Sequence, residues 1–425
     1  MEKSKKPKIR FKGFTDDWEQ RKLGEVVEFY NGDRSSRYPN DTDMVSEGIP
    51  FINAGDLVLG RVKLDTANKI TVEKYNELSG AKIQHGDIIY CLRGTLGKNA
   101  FVDNFSIGTV ASSLVDIRSR KIVGKYLFQV LNSDIEYRQR TLNDEGAAQP
   151  NLSAKNLSLF NIPMPDEAEQ TKIAEYFDTL DNLITLHQRK LGKLINVKKS
   201  MLEKMFPKQG STVPEIRFSG FTNDWEQREF VEIFDCTIPN NTLSRSELSY
   251  DEGSILNVHY GDILIKYGSV LDAHKFEIPR VPNKKIEDFR GSLLRPGDIV
   301  IADTAEDETT GKACEIGSLF GNSIVAGLHT MVARPNIEIA SGYLGYYLNS
   351  DAYHCQLLPM MQGIKVLSLS RANVKKTALK LPKSTKEQKL IANYFIQLDE
   401  LITLHQCELE KLKNIKKSML EKMFV

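Results

Sequence analysis

The stretch EQTKIAEYFDTLDNLITLHQRKLGKLINVKKSMLEKMF spans Glu169 to Phe206 and occurs again, slightly changed, from Glu387 to Phe424. The two copies align without a gap at an offset of 218, and 27 of their 38 positions are identical. Both copies end in the same nine residues, KKSMLEKMF. Chance does not produce such identity, so the chain is a tandem duplication and the fold must follow the repeat.

Apolar residues recur in this stretch with the alternating spacing of four and three that is typical of a coiled-coil seam. The spacing predicts two long helices, each about 57 Å long for 38 residues. The seam residues occur in the same order in both copies: Ile173, Phe177, Leu180, Ile184, His187, Leu191 and Leu194, then Ile391, Phe395, Leu398, Ile402, His405, Leu409 and Leu412.

His187 and His405 occupy the same seam position. A metal site is one interpretation, but neither has a Cys, Asp or Glu at ligand-like spacing on its face, so we predict no metal. A polar seam residue that fixes the register of a helix pair is the favoured interpretation. Ser384 to Glu387 has the pattern of a capping box and predicts the start of the second helix.

The order of segments predicts an antiparallel helix pair. The first helix carries the chain away from one globular region, and the second carries it back from another. His187 lies near the middle of the seam, so we expect it to lie near His405. The C-terminal residues stop where the N-terminal sequence would resume, so we also expect the two chain ends to lie close together.

A second, shorter segment is duplicated ahead of each globular region. Residues 7–21 return as residues 214–228, with twelve of fifteen positions identical. The two tryptophans of the chain, Trp18 and Trp225, are equivalent in these lead-in segments. We predict that each packs in its own core and does not stack on a base.

About 145 residues lie between each lead-in segment and its long helix, and there the two halves diverge. Shared landmarks remain, such as Gly86-Asp87 and Gly297-Asp298, each before a short apolar run. Short strand-like runs mixed with short helices predict an α+β (mixed α/β) fold. The predicted domains are 1–165 and 207–383, with long helices at 166–206 and 384–425.

Bulk composition narrows the classes of protein. Lys plus Arg number 57 and Asp plus Glu 56, so any nucleic-acid surface must be a local patch. The five cysteines are scattered, which argues against a disulfide framework or a zinc site. No apolar run approaches the roughly 20 residues of a membrane span, and no secretion signal is present, so a cytoplasmic location is expected.

Catalytic signatures are missing from the sequence. The Asn/Asp-Pro-Pro-Tyr/Phe motif of amino-methyltransferases does not occur, and the Gly-Lys pairs at 97–98 and 311–312 lack the remainder of a phosphate loop. No nuclease carboxylate cluster is apparent. We therefore expect a binding protein with no catalytic residues.

Polar and basic loops of both globular regions suit DNA, because Arg pairs with guanine, Asn or Gln with adenine, and Lys or Arg with phosphate. The loops as groups are stronger candidates than their individual members, each of which is more often a solvated surface residue. The candidates are Arg34, Arg37, Tyr38, Arg93, Lys98, Gln149 and Asn151 in the first region, and Lys266, Tyr267, Lys275, Lys312, Lys365 and Arg371 in the second.

These features together resemble a known family. A proline-containing extended segment, then Glu-Gln-x-x-Ile-Ala-x-Tyr-Phe-x-x-Leu-Asp-x-Leu-Ile and a Lys-Lys-rich helix end, occur twice, each after a variable domain. This pattern resembles the specificity subunit of a type I restriction–modification system, over essentially the whole chain. The resemblance implies two target recognition domains, each reading one half of a bipartite DNA site.

The resemblance also implies partners and cofactors. The long helices would hold the domains apart and dock two modification subunits, which carry S-adenosylmethionine and methylate adenine at N6. Restriction subunits would add ATP-driven translocation and cleavage with Mg. No cofactor is expected in this chain itself.

Two other classes of function stay open at this point. A self-contained DNA methyltransferase or endonuclease would contradict the missing motifs. A coiled-coil scaffold that binds no nucleic acid would show no salt-sensitive DNA binding.

Overall fold

The computed structural model describes residues 6–144 and 150–424. The chain divides into two compact units, which are Met1–Gln188 with Cys407–Val425, and Arg189–Gln406. Each unit therefore contains one globular region with one half of each long helix. Across the described residues, no helix is long and apolar enough to cross a membrane.

Short strands dominate the first globular region. Its elements are β1 Glu19–Lys22, α1 Leu23–Val26, β2 Val27–Asn31, β3 Met44–Val45, β4 Ile49–Ile52, β5 Leu57–Val58, β6 Arg61–Val62, β7 Asn68–Ile70, α2 Val72–Glu77, β8 Ile88–Cys91, β9 Asn99–Phe101, β10 Thr109–Val110, β11 Leu114–Ser119, α3 Gly124–Val130, α4 Asp134–Leu142, α5 Ala154–Ser158 and β12 Asn161–Met164, followed by the long helix α6 Glu167–Lys204.

The second region follows the same plan with some differences in the strands. Its elements are β13 Glu226–Glu229, α7 Phe230–Ile233, β14 Phe234–Asp235, β15 Ile255–Val258, α8 Tyr260–Ile265, β16 Val270–Leu271, β17 Arg280–Val281, β18 Ile299–Ala302, β19 Thr304–Ala305, β20 Ala313–Ile316, β21 Ser323–Ala326, β22 Thr330–Pro335, α9 Tyr343–Leu348, α10 Asp351–His354, β23 Leu367–Ser368, α11 Arg371–Val374 and β24 Ala378–Leu381, followed by the long helix α12 Thr385–Met423.

Each unit has one main sheet with a buried central strand. The order is β2-β11-β8-β9 in the first unit and β14-β22-β18-β20-β16 in the second. All four residues of β8 and all four of β18 are buried, which explains their continuous apolar sequences. The α+β character predicted from the sequence is confirmed.

The Gly-Asp landmarks have a physical cause that is the same in both units. Gly86 and Gly297 adopt φ of +92° and +89°, a conformation that favours glycine. The aspartate that follows each glycine is buried and accepts two hydrogen bonds from an arginine of the neighbouring strand, Asp87 from Arg118 and Asp298 from Arg334. This pair ties the turn to the sheet.

Within each unit, the two long-helix segments run antiparallel. In the first unit the Phe177 and Phe424 rings stack with centroids 6.0 Å apart, and Asp181 Oδ1 lies 2.6 Å from Lys416 Nζ. Residue numbers therefore increase from 177 to 181 along the first segment in the direction in which they decrease from 424 to 416 along the second.

The second unit repeats these contacts at the equivalent residues. The Phe395 and Phe206 rings stack at 5.8 Å, and Asp399 Oδ1 lies 2.5 Å from Lys198 Nζ. The predicted antiparallel direction is thus confirmed in each unit. The proximity of His187 to His405 stays a prediction.

A buried glutamate in each unit fastens the lead-in segment to its long helix. Glu169 accepts hydrogen bonds from Arg10 Nε and Nη2, both at 2.7 Å, and from Trp18 Nε1 at 3.0 Å. Glu387 accepts from Arg217 and Trp225 in the same way.

Both tryptophans are 2% exposed, so the prediction that they pack in a core is confirmed. The second long helix begins at Thr385, directly after Ser384, so its predicted start is confirmed. The carboxylate of Glu387 accepts hydrogen bonds from Arg217 and Trp225, because the lead-in segment folds onto the start of the helix.

The two ends of the chain meet in the first unit. Ile9 N donates to Lys422 O at 3.0 Å, which confirms the prediction that the chain ends lie close together. The equivalent bond in the second unit joins Ile216 N to Lys204 O at 2.9 Å, where residues 205–215 connect the two covalently. The same contact therefore joins residues that are far apart in sequence in one unit and close in sequence in the other.

Candidate nucleic-acid interface

Several loops of the first unit gather at one end of its main sheet, because strands β2 and β8 end there and strands β9 and β11 begin there. We call residues 32–38, 92–98, 111–113 and 150–152 the first loop edge. Arg34 Nη2 donates to Ser112 O at 3.2 Å, and Leu92 N donates to Ser113 O at 2.9 Å. The structure thus brings the loops of Arg34 and Arg93 onto one surface.

Arg93 and Asn151 lie side by side at the first loop edge. Their backbones form an isolated β-bridge, and Arg93 Nε donates to Asn151 Oδ1 at 3.1 Å. Arg93 is exposed, so its terminal nitrogens can reach a ligand. An arginine held by Nε presents a fixed pair of donors, which is the geometry that guanine O6 and N7 accept.

Asp33 organises the loop that carries Arg34 and Arg37. Its carboxylate accepts from Ser35 N at 2.7 Å, from Ser79 N at 2.8 Å and from Ser79 Oγ at 3.0 Å. Hydrogen bonds from Ser35, together with those from Ser79, hold the pKa of Asp33 well below its usual range. The loop is therefore anchored by a carboxylate that stays charged.

The other candidates of this loop differ in exposure. Arg37 is exposed and donates from Nη1 to Glu77 O at 3.0 Å. Tyr38 is half-buried, with its ring edge-on to Phe51 at 5.6 Å, so only part of the tyrosine faces solvent. Gln149 lies outside the described residues.

Lys98 and Lys312 turn out to be structural equivalents with inward-facing ammonium groups. Each follows a glycine at the start of the strand next to the central one, and each is half-buried. Lys98 Nζ donates to Ala54 O at 2.8 Å, and Lys312 Nζ donates to Leu264 O at 2.9 Å. Burial lowers the pKa of Lys312. Both lysines therefore brace the sheet edge against a neighbouring element.

The second unit has a corresponding surface, which we call the second loop edge, formed by residues 236–241, 303–312, 327–329 and 361–371. Asp303 N donates to His329 O at 3.1 Å, and Leu369 N donates to Asp303 O at 2.8 Å. Arg371 Nη1 donates to Cys236 O at 3.2 Å. Lys312, Lys365 and Arg371 belong to this edge, so the structure brings these three candidates together.

Three candidates of the second region are not placed as the sequence suggested. The Tyr267 ring is 2% exposed and packs edge-on against Phe276, so the prediction that it contacts DNA is wrong. Lys275 pairs with Asp272 at 3.2 Å and with Glu400 of the long helix at 3.6 Å. Lys266 donates to Glu277 O and lies 5.2 Å from the Tyr250 ring.

His329 is a candidate that the sequence reasoning missed. Its backbone adopts φ of +53°, which is uncommon for a residue other than glycine and often marks a functional site. The exposed imidazole lies 3.4 Å from Asp303 Oδ1 and edge-on to Tyr260 at 5.3 Å. No sequence pattern around Gly327-Leu328-His329 signals this geometry.

The predicted seam residues all lie on the sheltered side of their helices. Ile173, Phe177, Leu180, Ile391, Phe395 and Leu398 are buried, and Ile184, His187, Leu191, Leu194, Ile402, His405, Leu409 and Leu412 are half-buried. This distribution places the tightest packing near the start of each long helix.

Two pairs of leucines on the long helices face solvent instead. Leu183 and Leu186 in the first unit are 39% and 45% exposed, and Leu401 and Leu404 in the second are 43% and 53% exposed. The offset of 218 makes the two pairs equivalent. Both pairs belong to the duplicated stretch, in which 27 of 38 positions are identical.

Comparison with known proteins identifies the repeated architecture. The family model for the type I restriction modification DNA specificity domain matches residues 15–196 and 222–414. The MjaVIII type I restriction enzyme specificity subunit of Methanocaldococcus jannaschii is 22% identical over 95% of this chain and 91% of its own length.

A solved structure also covers the whole chain. The type I restriction–modification S subunit from M. genitalium shares the fold with a TM-score of 0.59 and 15% identity, over 99% of both chains. Shorter similarity links the chain to the EcoR124I/EcoR124II specificity subunit of Escherichia coli, at 27% identity over 42% of this chain and 44% of that one. Because the family model matches most of the sequence in two copies, the chain belongs to the family of type I restriction–modification specificity subunits.

Proposed function

We propose that this chain reads a bipartite, asymmetric DNA site, with one loop edge for each half-site and an unread spacer between them. The proposal rests on a contrast between the frame, which consists of the long helices and the lead-in segments, and the two loop edges. The helices and lead-in segments are nearly identical in the two halves, whereas loops 92–98 and 303–312 at equivalent places differ in length and charge. A repeated frame with different readers suits a target whose halves differ.

The long helices would set the distance between the two readers as an antiparallel coiled coil. A helix of 38 residues is roughly 57 Å long, which exceeds one turn of B-DNA at about 34–36 Å. The half-sites would then be separated by more than one turn of the duplex.

We further propose that the exposed leucine pairs dock two copies of one modification subunit. Leu183 and Leu186, and their equivalents Leu401 and Leu404, present the same apolar pair once in each unit. A partner that binds twice needs the same surface twice, which explains why these residues repeat outside the seam. Such a partner would carry S-adenosylmethionine and methylate adenine at N6, and restriction subunits would add ATP- and Mg-dependent cleavage.

This division of labour leaves the chain itself without catalysis or cofactor, acting with its partners in the cytoplasm. The missing catalytic motifs support that proposal. A stand-alone methyltransferase or endonuclease is the competing function. Methylation by the purified chain alone would establish it.

Exchange of one reader tests the reading proposal. Replacing residues 1–165 with the corresponding region of another specificity subunit should change one half of the methylated site and leave the other half and the spacer intact. Methylome sequencing of cells with each version measures this directly. A change in both halves would contradict independent readers.

The docking proposal predicts equal and independent losses. Leu183→Glu and Leu401→Glu should each remove one modification subunit, and the double variant should remove both. Native mass spectrometry of the co-purified complex gives the stoichiometry. Substitution of the exposed Val231 by Glu is the control, and loss of subunits from that variant would argue against a specific surface.

A further inference from the structure

A hairpin at the second loop edge holds an apolar tip in solvent. Residues 361–368 close through two backbone hydrogen bonds, Gln362 N to Ser368 O at 3.0 Å and Ser368 N to Gln362 O at 2.8 Å. Ile364 at the tip is 100% exposed, and Val366 is 51% exposed. No other large apolar side chain among residues 6–144 and 150–424 is as exposed as Ile364.

The hairpin is built to hold that shape. Gly363 adopts φ of +124°, and a Cβ there would lie 1.9 Å from Val366 O, so only glycine fits the turn. The hairpin stem continues into β23, whose residues pair with Thr304 and Ala305 of β19. Since β19 follows the central strand β18 directly, the tip is tied to the middle of the main sheet.

The segment that contains the hairpin is basic, and this favours a polyanion as its partner. Residues 352–383 contain six lysines and arginines and no aspartate or glutamate, although the chain as a whole is nearly neutral. Lys365, Lys375 and Lys376 are exposed, and none forms an ion pair with another described residue. An apolar tip within a cationic segment fits DNA better than a protein or lipid surface of mixed charge.

The neighbouring loop limits how a duplex can approach. Glu306 and Glu308 are exposed beside the hairpin stem, and their carboxylates repel phosphates. The cations flank this acidic loop through α11, where Arg371 contacts Cys236 O. Bases rather than phosphates therefore suit the position of the tip.

We propose that Ile364 is a wedge that inserts between two base pairs of the second half-site and unstacks them. Proteins that bend DNA use isoleucine, leucine, methionine or phenylalanine in this way, and the energy of unstacking is repaid by additional contacts with the bent duplex. The inference rests on the proposed DNA-reading function and adds a mechanical step to it, namely distortion at one defined base step.

The first half of the chain carries a different residue at this place. The offset of 217 that aligns Leu152-Ser153 with Leu369-Ser370 also aligns Gly146 with Gly363 and Ala147 with Ile364. Residues 145–149 lie outside the described residues, so only their identity is compared. Ile364→Ala therefore gives the second half the residue type of the first.

The test uses the full chain co-purified with its modification subunits and a duplex whose site is taken from methylome sequencing. 2-Aminopurine is placed in turn at each step of the second half-site, apart from the adenine that is methylated, since methyltransferases extrude their target base themselves. We expect the wild type and Ile364→Met to raise fluorescence at one step. Ile364→Ala should abolish that rise and weaken binding about tenfold.

Ile286→Ala is the matched control, because Ile286 is 41% exposed on a turn of the same unit and lies outside the second loop edge. Failure of the wild type to bind the duplex would overturn the DNA-reading function itself. Equal binding and equal fluorescence for wild type and Ile364→Ala would overturn the wedge and leave the reading function standing. Loss of modification subunits from Ile364→Ala, with undiminished fluorescence in the complexes that still form, would identify the tip as a protein contact and also overturn the wedge.

Discussion

The two loop edges occupy the same place in the repeat and carry opposite charges. The connection after β8 reads LRGTLGK from Leu92 to Lys98, whereas the connection after β18 reads DTAEDETTGK from Asp303 to Lys312. Both end in a Gly-Lys pair whose lysine braces the sheet. The fold therefore fixes the start and end of this loop and leaves its interior free to change.

Under the proposed function, the second edge would need cations from other segments. Lys365 and Arg371 belong to this edge, and Lys375 and Lys376 follow Arg371 in the sequence. Four acids in loop 303–308 would otherwise repel a duplex. Under the proposed function, the connection after β8 would contact DNA at the first edge, whereas other segments would do so at the second edge.

The largest expected effect tests whether the two units are held by equivalent anchors. Phe424 packs on Trp18, Tyr126 and Phe177 in the first unit, and Phe206 occupies the equivalent place in the second. Phe424→Ala and Phe206→Ala should each cost about 3–5 kcal/mol of unfolding free energy, because each leaves a cavity. Hydrogen-exchange mass spectrometry should show loss of protection confined to one unit in each variant.

That prediction has a clear failing outcome. Exchange that rises equally in both units for either variant would mean that the units unfold together and that the division of the chain has no energetic meaning. Val231→Ala, at a 47% exposed position, should change neither unit.

The next effect concerns direct reading at the first edge. Arg93→Ala should weaken binding to the cognate duplex by about 10- to 100-fold and relax one position of the first half-site, because a bidentate arginine–guanine contact is worth about 1–3 kcal/mol. Arg93→Lys should not restore it, since lysine lacks the planar fork. Competition binding with a panel of single-base variants is the measurement, and uniform weakening across the panel would assign Arg93 to the phosphate backbone instead.

A smaller effect tests whether cationic contacts with phosphate come from residues 365–376, which we call the α11 segment. Each of Lys365, Lys375 and Lys376 changed to Ala should lower the slope of log affinity against log salt by about 0.9 if it contacts a phosphate. Glu306→Gln and Glu308→Gln should raise affinity for every duplex, since they remove repulsion. Titrations between low and moderate salt measure both. A slope unchanged in all three lysine variants would refute the α11 segment as a phosphate contact.

The sequence predicts the repeated features of the fold. It does not predict contacts with backbone atoms that are far away in the sequence. The repeat, with 27 of 38 positions identical, is visible in the sequence. It predicts the two long helices, their antiparallel direction and the proximity of the chain ends. It does not predict the inward turn of Lys98 and Lys312, because their acceptors, Ala54 O and Leu264 O, are 44 and 48 residues away. Tyr267 was misjudged for a related reason, since nothing local distinguishes it from its half-exposed neighbour Lys266.

The buried glutamates illustrate the same limit at the helix starts. Glu387 has the local sequence of a capping residue, yet its carboxylate accepts a hydrogen bond from Arg217, which lies 170 residues earlier in the chain. The pattern was visible twice, as Arg10 with Glu169 and Arg217 with Glu387, but only the structure shows that the members of each pair meet. The repeat marks these arginines and glutamates as important for the fold, but it does not show which residues form hydrogen bonds with each other.

The last comparison concerns one buried acid in each main sheet. Asp116 of β11 is fully buried where the second unit has Val332, and its Oδ1 has no hydrogen-bond partner among the described residues. Burial, reinforced by nearby Asp87, raises the pKa of Asp116 to about 8. Glu315 of β20 lies where the first unit has Phe101, and burial raises its pKa to about 7, but its carboxylate accepts from Gly342 N and Gly345 N at 2.5 and 3.0 Å.

These differences predict responses of different size to removal of the charge. An acid whose pKa is raised by folding stabilises the fold fully below its unfolded pKa of about 3.9 and loses that contribution as pH rises through the folded value. Asp116→Asn should therefore raise the melting temperature of the first unit at pH 9 more than at pH 6. Glu315→Gln should raise that of the second less, because removal of the charge is offset by about 1–3 kcal/mol when one backbone N–H loses its acceptor. Calorimetry across this pH range distinguishes them, and a destabilised Asp116→Asn at pH 9 would mean that Arg118 holds the carboxylate charged.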